Sequence, residues 1–142
     1  MPATPLRLEL VSVGVRETAE FEAAFDRMKE ARAQALYIVV DGVMIQNAVR
    51  LGELALKYRL PSASQWSGTA HAGGLMAYGP DPNELWRRSA SYVDKILKGA
   101  NPAELPIEQP SKFDLVVNLK TAKTLGLRIP QSVLIRADRV IE

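Results

Sequence analysis

Few side chains in this sequence are equipped for chemistry, and their types exclude more than they suggest. Cysteine is absent. Disulfides, thiol nucleophiles and Cys-ligated zinc or iron–sulfur centres are therefore excluded. His71 is the single histidine, so one chain cannot build a multi-His metal site. A Ser–His–Asp relay would have to run through His71 alone. That residue lies among Gly and Ala, in a segment that reads as a loop, with no acid or nucleophile patterned around it. No catalytic residue, metal ligand or cofactor is expected. Gly73-Gly74 matches neither the dinucleotide fingerprint nor the P-loop spacing. Arg87-Arg88 and the Lys120/Lys123 pair read as solvated helix faces.

The remaining candidates are residues of recognition. Asp41 and Gly42 follow the most apolar run of the chain. Asp41 can hold an ammonium group, or it is a turn former or helix N-cap before Gly42. Gln65 and Trp66, followed by Ser67 and Thr69, occupy a second such loop, and Tyr78 with Gly79 a third. Trp66 and Tyr78 each offer a rigid ring with a polar tip, suited to walling in an apolar ligand or to packing in a core or interface. Trp86 reads as an edge or interface residue beside the inner stripe of its helix.

These residues need a scaffold, and the hydrophobic periodicity describes one. Leu6 to Val13 alternates and is rich in β-formers, as a strand does. Thr18 is placed to cap a helix running to about Arg32, with Phe21, Ala24, Phe25, Met28 and Ala31 on one face. Ala35 to Val40 is a continuous apolar run, the pattern of a strand covered on both faces. A helix from Val43 to Tyr58 follows. A short segment from Pro61 to Trp66 precedes loops at Ser67-Gly68-Thr69 and Gly73-Gly74, and Leu75 to Tyr78 reads as a strand. Asp81-Pro82-Asn83-Glu84 is the clearest helix start: an acidic N-cap, proline at the first position, and glutamate three residues after the cap. That helix is expected to reach Lys98 and stop at Gly99, with Leu85, Ser89, Tyr92, Val93 and Ile96 inward. Asn101 to Pro110 holds three prolines and reads as extended. Phe113 to Val117 is a strand, Asn118 caps a helix ending at Leu125-Gly126, and Pro130 opens a last helical turn through Ala137. Strand–helix alternation predicts an α/β fold, a parallel sheet flanked by helices.

Composition agrees with this class. The 142 residues are 47% hydrophobic and 24% charged, which excludes a disordered chain. No apolar run approaches the roughly 18 residues of a membrane span. The net charge of +2 is spread thinly and aromatic residues are few, so no nucleic-acid surface is expected. Met1-Pro2-Ala3-Thr4-Pro5 does not read as a secretory signal. In an open parallel sheet, ligands gather at the carboxyl ends of the strands, which is where the Asp41, Gln65–Trp66 and Tyr78 segments fall.

The second half carries a specific resemblance. Gly73-Gly74-Leu75-Met76-Ala77-Tyr78-Gly79-Pro80, Trp86-Arg87-Arg88, and Ser91 to Gly99 (SYVDKILKG) lead into Pro102 to Pro110 (PAELPIEQP) and Lys112 to Lys123 (KFDLVVNLKTAK). Gly126 to Ser132 (GLRIPQS) and Arg136-Ala137-Asp138 complete the pattern. Together these closely resemble the C-terminal part of the ABC-transporter substrate-binding protein family whose best-known members take up aromatic amino acids; 21–61 fits more loosely. The resemblance implies lobe two of a type I periplasmic-binding-protein fold, a non-enzymatic solute-binding component of an importer, and a small ligand such as an amino acid clamped between two lobes. Its ligand contacts carry over to Asp41, Gly42, Gln65, Trp66 and Tyr78. It further implies an ABC permease as partner and a periplasmic location, which the lack of a signal peptide leaves open for this chain. It divides the chain into a lobe-two core (1–80), a helix that packs on a missing first lobe (81–100), and a hinge crossing with the last strand and helix (101–142). Family members begin with an export signal and a complete first lobe, and often carry an acidic residue where His71 stands. With lobe one absent, the 82–99 helix is expected to pair chains as a homodimer or higher oligomer. The alternative is a standalone small α/β protein, regulatory or enzymatic, that reuses a half-lobe.

Overall fold

The structure, a computed structural model, describes residues 2–3 and 8–142. Its centre is a five-stranded sheet with order β3-β4-β5-β6-β7, made of Leu36–Ile38, Ser62–Ser64, Met76–Pro80, Phe113–Asn118 and Arg139–Ile141. β3, β4 and β5 are mutually parallel, as are β6 and β7, but β5 and β6 run antiparallel. The sheet is therefore mostly parallel, with one reversal at the β5–β6 pair. β7 has no counterpart in the sequence reading. Its three residues are too few to show alternation.

Four helices pack on one face of the sheet. α1 (Phe21–Glu30) and α3 (Ala48–Lys57) close a core of Phe21, Phe25, Leu51, Leu54, Ala55 and Leu60 against Ile38 of β3. Further along the same face, Ala70 of α4 (Ser67–His71) packs on Ala77 and Val116. α6 (Leu119–Leu125) is tied to this layer through Asn118, whose Nδ2 donates to the Ala70 carbonyl at 2.9 Å, and Thr121, whose Oγ1 donates to Gly73 O at 2.9 Å. Asn118 also caps α6 as expected, accepting from Thr121 N–H at 3.0 Å.

Several expectations are corrected. Of the Leu6–Val13 strand, Leu6 and Arg7 lie outside the described residues; only Leu8–Glu9 (β2) is strand, paired with Pro2–Ala3 (β1) and apart from the main sheet. Leu8, Leu10 and Val11 are more than half exposed, so the alternation finds no sheet face to bury. β3 is an edge strand, and Tyr37 and Val39 are 60% and 72% exposed, so its apolar run is not covered on both faces. Thr18 opens a 3-10 turn (Thr18–Glu20) and does not cap α1; the Glu20 carboxylate reaches back to Arg16 N–H at 2.7 Å. The 43–58 helix is two helices, α2 (Gly42–Gln46) and α3, parted at Asn47, whose Nδ2 donates to Val43 O. Ser67–Gly68–Thr69 and His71 belong to α4 and not to a loop.

α5 (Pro82–Leu97) starts at the Asp81 cap as predicted, with Asn83 N–H donating to Asp81 Oδ1 at 2.9 Å, and Gly99 follows at φ +97°. The reciprocal half of the capping box is absent. Asp81 N–H bonds Lys112 O, and Glu84 turns to Ser111 and Arg88. No residue of α5 is buried. It leans on the Asn101–Pro110 segment: Tyr92 Oη donates to Pro106 O at 2.6 Å and Arg88 to Gln109 O at 3.1 Å. That segment is extended apart from a 3-10 turn at Pro102–Glu104. α7 (Gln131–Leu134) supplies the turn after Pro130.

Candidate functional site

β3, β4 and β5 end on one edge of the sheet, and the antiparallel reversal brings the starts of β6 and β7 to that same edge. Asp41–Gly42, Gln65–Trp66 and Asp81 leave it; Lys112 and Asp138 enter it. The edge thus gathers five chain segments, four of which carry a charged residue.

Asp41 is the N-cap of α2. Its Oδ1 accepts Met44 N–H at 2.9 Å, and the carboxylate is otherwise open to solvent. The helix-cap reading holds, and it leaves the second oxygen available. Gly42 is the first residue of α2, and a Cβ there would meet open space, so local packing does not require glycine. Gln65 is spent on the scaffold. In the amide orientation that satisfies both of its ends, the nitrogen donates to Ile38 O at 3.1 Å and the oxygen accepts Val40 N–H at 3.2 Å. Gln65 therefore fixes the exit of β3 beside that of β4.

Trp66 is half-buried. Its indole lies over Gly68 so closely that a Cβ on Gly68 would run into the ring. The turn beneath it is held by Ser64 and Thr69, whose hydroxyls lie against each other and against Trp66 O, at 3.0 Å from Ser64 Oγ and 2.7 Å from Thr69 Oγ1; with one hydrogen each, one donates to the carbonyl and the other to its fellow hydroxyl. Gly79 completes the packing here: a side chain on it would run into Gln65 O, so only glycine lets β5 pass.

Tyr78 parts from the others. Ala77 and Gly79 face the α4 layer and are buried, so Tyr78 projects from the opposite face, 60% exposed and stacked on Phe113 with ring centroids 5.6 Å apart. The structure thus brings Asp41, Gly42, Gln65 and Trp66 to one edge and leaves Tyr78 on a sheet face.

Beyond Asp41, the charged residues of the edge were not among the expected site residues. Lys112 Nζ lies 3.0 Å from Asp81 Oδ2 and 3.5 Å from Asp114 Oδ1. The Lys112 ammonium, then the Asn83 N–H, hold the Asp81 carboxyl below its usual range, and Asp81 with Asp114 raises Lys112. Asp138 Oδ2 accepts Leu115 N–H at 2.8 Å, and Arg139 Nη1 stands 3.3 Å from His71 Nε2. Asp81 and Lys112 are 31 residues apart, and only the β5–β6 reversal, absent from any local pattern, makes them neighbours. Among the described residues no cluster of acids and histidine has the form of a metal site.

Comparison with known proteins places this arrangement. No curated protein matches the chain. A conserved domain protein from Vibrio cholerae superposes with TM-score 0.89 at 25% identity, over 97% of this chain and 46% of its own. A Streptococcus pneumonia ABC domain in complex with L-Trp gives 0.87 at 26% identity, over 98% and 48%. The ligand-free, open form of a substrate-binding protein with adhesive properties from Clostridium difficile shares the fold at TM-score 0.69 and 20% identity, over 98% and 46%. The chain spans about half the length of these structures. The profile of the ABC transporter substrate binding protein family matches residues 2–141, essentially the whole sequence, and the chain belongs to that family.

Proposed function

We propose that this chain is the ligand-recognising part of an ABC importer's solute-binding component and that its ligand is a small molecule such as an amino acid. The observation that carries the reading is the family match over residues 2–141. The L-Trp held by the pneumococcal neighbour supports an amino acid as ligand class. Recognition is the whole of the chemistry: no bond is made or broken, and the solute is handed, on the outer side of the membrane, to an ABC permease. The edge formed by Asp41, Gly42 and Trp66 offers an open carboxylate for an ammonium and a half-buried indole for an apolar side chain, with Gln65 holding the two loops in register. Tyr78, on the sheet face, contributes only if the ligand or a second lobe reaches over β5.

One wall of a clamp supplies about half of its contacts, so affinity for a free amino acid is expected near the millimolar range, about 4 kcal/mol. Amide NMR of the isotope-labelled chain, titrated with L-Trp, L-Leu and L-Glu, tests this. Saturable shifts at the strand-edge loops support the reading. An absence of shifts anywhere for every amino acid at about 10 mM overturns it.

A further inference from the structure

We propose that the polar cavity at the crossing end of the sheet is a subsite for the head group of an α-amino acid, with its ammonium on Asp114 and its carboxylate on Arg139. This rests on the amino-acid reading above and assigns residues that reading does not use. The cavity, about 320 Å³, lies at the lower end of small-ligand pockets. β6, β7, Ser67 and the Asp81–Asn83 turn wall it.

Its charges are divided unevenly. On one wall a single ammonium, Lys112, serves both Asp81 and Asp114. Asp81 is additionally satisfied by Asn83 N–H, whereas Asp114 has only the longer 3.5 Å contact. That wall carries one negative charge in excess. Arg139, on β7, forms no salt bridge among the described residues. The imidazole that it meets at His71 Nε2 carries no negative charge, so the charge of the guanidinium stays unbalanced. The neighbouring carboxylate, Asp138, accepts Leu115 N–H and keeps its own charge in the lining, but it forms no ion pair with Arg139, so the guanidinium remains the unpaired cation of the cavity. The cavity therefore has a negative pole and a positive pole, with the Ser67 hydroxyl and Asn83 amide as neutral partners.

A zwitterion matches both poles at once. A simple carboxylate gains Arg139 but meets Asp114, and a simple amine gains Asp114 but meets Arg139. The guanidinium fork suits a carboxylate in particular, since two parallel N–H donors meet its two oxygens.

The test is an amide NMR titration of the 142-residue chain with glycine, acetate and methylammonium at constant ionic strength. Glycine is expected to shift Ser67, Asn83, Asp114 and Arg139 saturably and to bind about tenfold or more tighter than either half-ligand. Arg139→Ala should weaken glycine and acetate by about tenfold and should not weaken methylammonium, which is relieved of a like charge. Asp114→Asn should weaken glycine and methylammonium and spare acetate. Arg139→Lys, which keeps the charge without the fork, should recover part of the loss. Both positions are accessible to solvent, and unchanged dispersion of the remaining amides reports an intact fold. Acetate binding as well as glycine, or glycine shifts confined to 40–42 and 65–66, overturns the subsite; the second result leaves the amino-acid reading standing. No shift anywhere, with glycine or the larger amino acids, overturns both.

Discussion

Asp41 shows how one side chain can hold two assignments that a measurement separates. Its Oδ1 caps α2 by accepting Met44 N–H, and its other oxygen faces solvent. Loss of a carboxylate cap costs about 1 kcal/mol, within a range of roughly 0.5–2, and asparagine caps about as well. Asp41→Ala should therefore lower the urea midpoint by that amount, while Asp41→Asn should leave it within error. If Asp41 also holds an ammonium, both substitutions weaken an amine-bearing ligand, because asparagine keeps the cap but not the charge. Equal stability of the Ala variant and the parent would remove the cap; ligand affinity unaltered in the Asn variant would remove the ammonium role. The residue types at this edge were legible in the sequence because Asp-Gly directly follows an apolar run and Gln-Trp closes the short segment that starts at Pro61. What could not be read is how they are employed. Gln65 looks like a ligand contact until β3 is placed beside β4, when its amide turns out to bridge Ile38 and Val40.

At the level of elements, local chemistry was a reliable guide and long-range pairing was not. The Asp81-Pro82 start of α5, the Asn118 cap of α6 and the Gly99 and Gly126 stops are all signalled within a few residues and all stand in the structure. The antiparallel seam between β5 and β6 and the existence of β7 depend on contacts across 20 or more residues, and periodicity carries no such information. The Leu6–Val13 pattern fails for the same reason: alternation prepares a strand but does not supply a neighbour to pair with. The seam's main ion pair gives a testable signature. Lys112 keeps the Asp81 carboxyl below its ordinary value in the folded chain. A group depressed on folding stabilises above its unfolded pKa, and that contribution is lost as pH falls through the folded value. Asp81→Asn retains an N-cap and removes the charge. Urea midpoints measured on both proteins should differ near neutral pH and converge as acid protonates Asp81 in the parent. A gap that persists unchanged into strong acid would mean that Lys112 does not stabilise through this carboxylate.

On the scale of the molecule, the unusual feature is a 16-residue helix with nothing buried. The sequence assigned Leu85, Ser89, Tyr92, Val93 and Ile96 to its inner face. In the structure Leu85, Ser89, Tyr92 and Ile96 border an open groove against the proline-rich Asn101–Pro110 segment, and Leu85 and Ile96 stay 38% and 41% exposed there, so this face is not an inner one in the described chain. Val93 belongs to a different stripe. Trp86, Ala90, Val93 and Leu97 recur at four-, three- and four-residue intervals, and all are exposed, Trp86 by 73%, Val93 by 54% and Leu97 by 82%. Trp86 is thus the head of an apolar ridge and not a residue beside one. Each large side chain of such a ridge gains roughly 1.5–3 kcal/mol when fully buried, which is large against the 5–15 kcal/mol that holds an ordinary domain together. A second copy can supply the cover, because an antiparallel pair of α5 helices would set ridge against ridge around a two-fold axis. We expect light scattering with size-exclusion chromatography to give a dimer at tens of micromolar, and Val93→Glu with Leu97→Glu to return a monomer, since two carboxylates on each helix would face their symmetry mates without water. Tyr92→Glu with Ile96→Glu tests the other stripe. It should disturb the packing of α5 on its own chain, lowering thermal stability, and leave the dimer mass in place if the ridge is the contact. A monomer for the parent chain would remove the second copy as the partner of α5. A dimer that survives both ridge charges would place the contact elsewhere on the molecule.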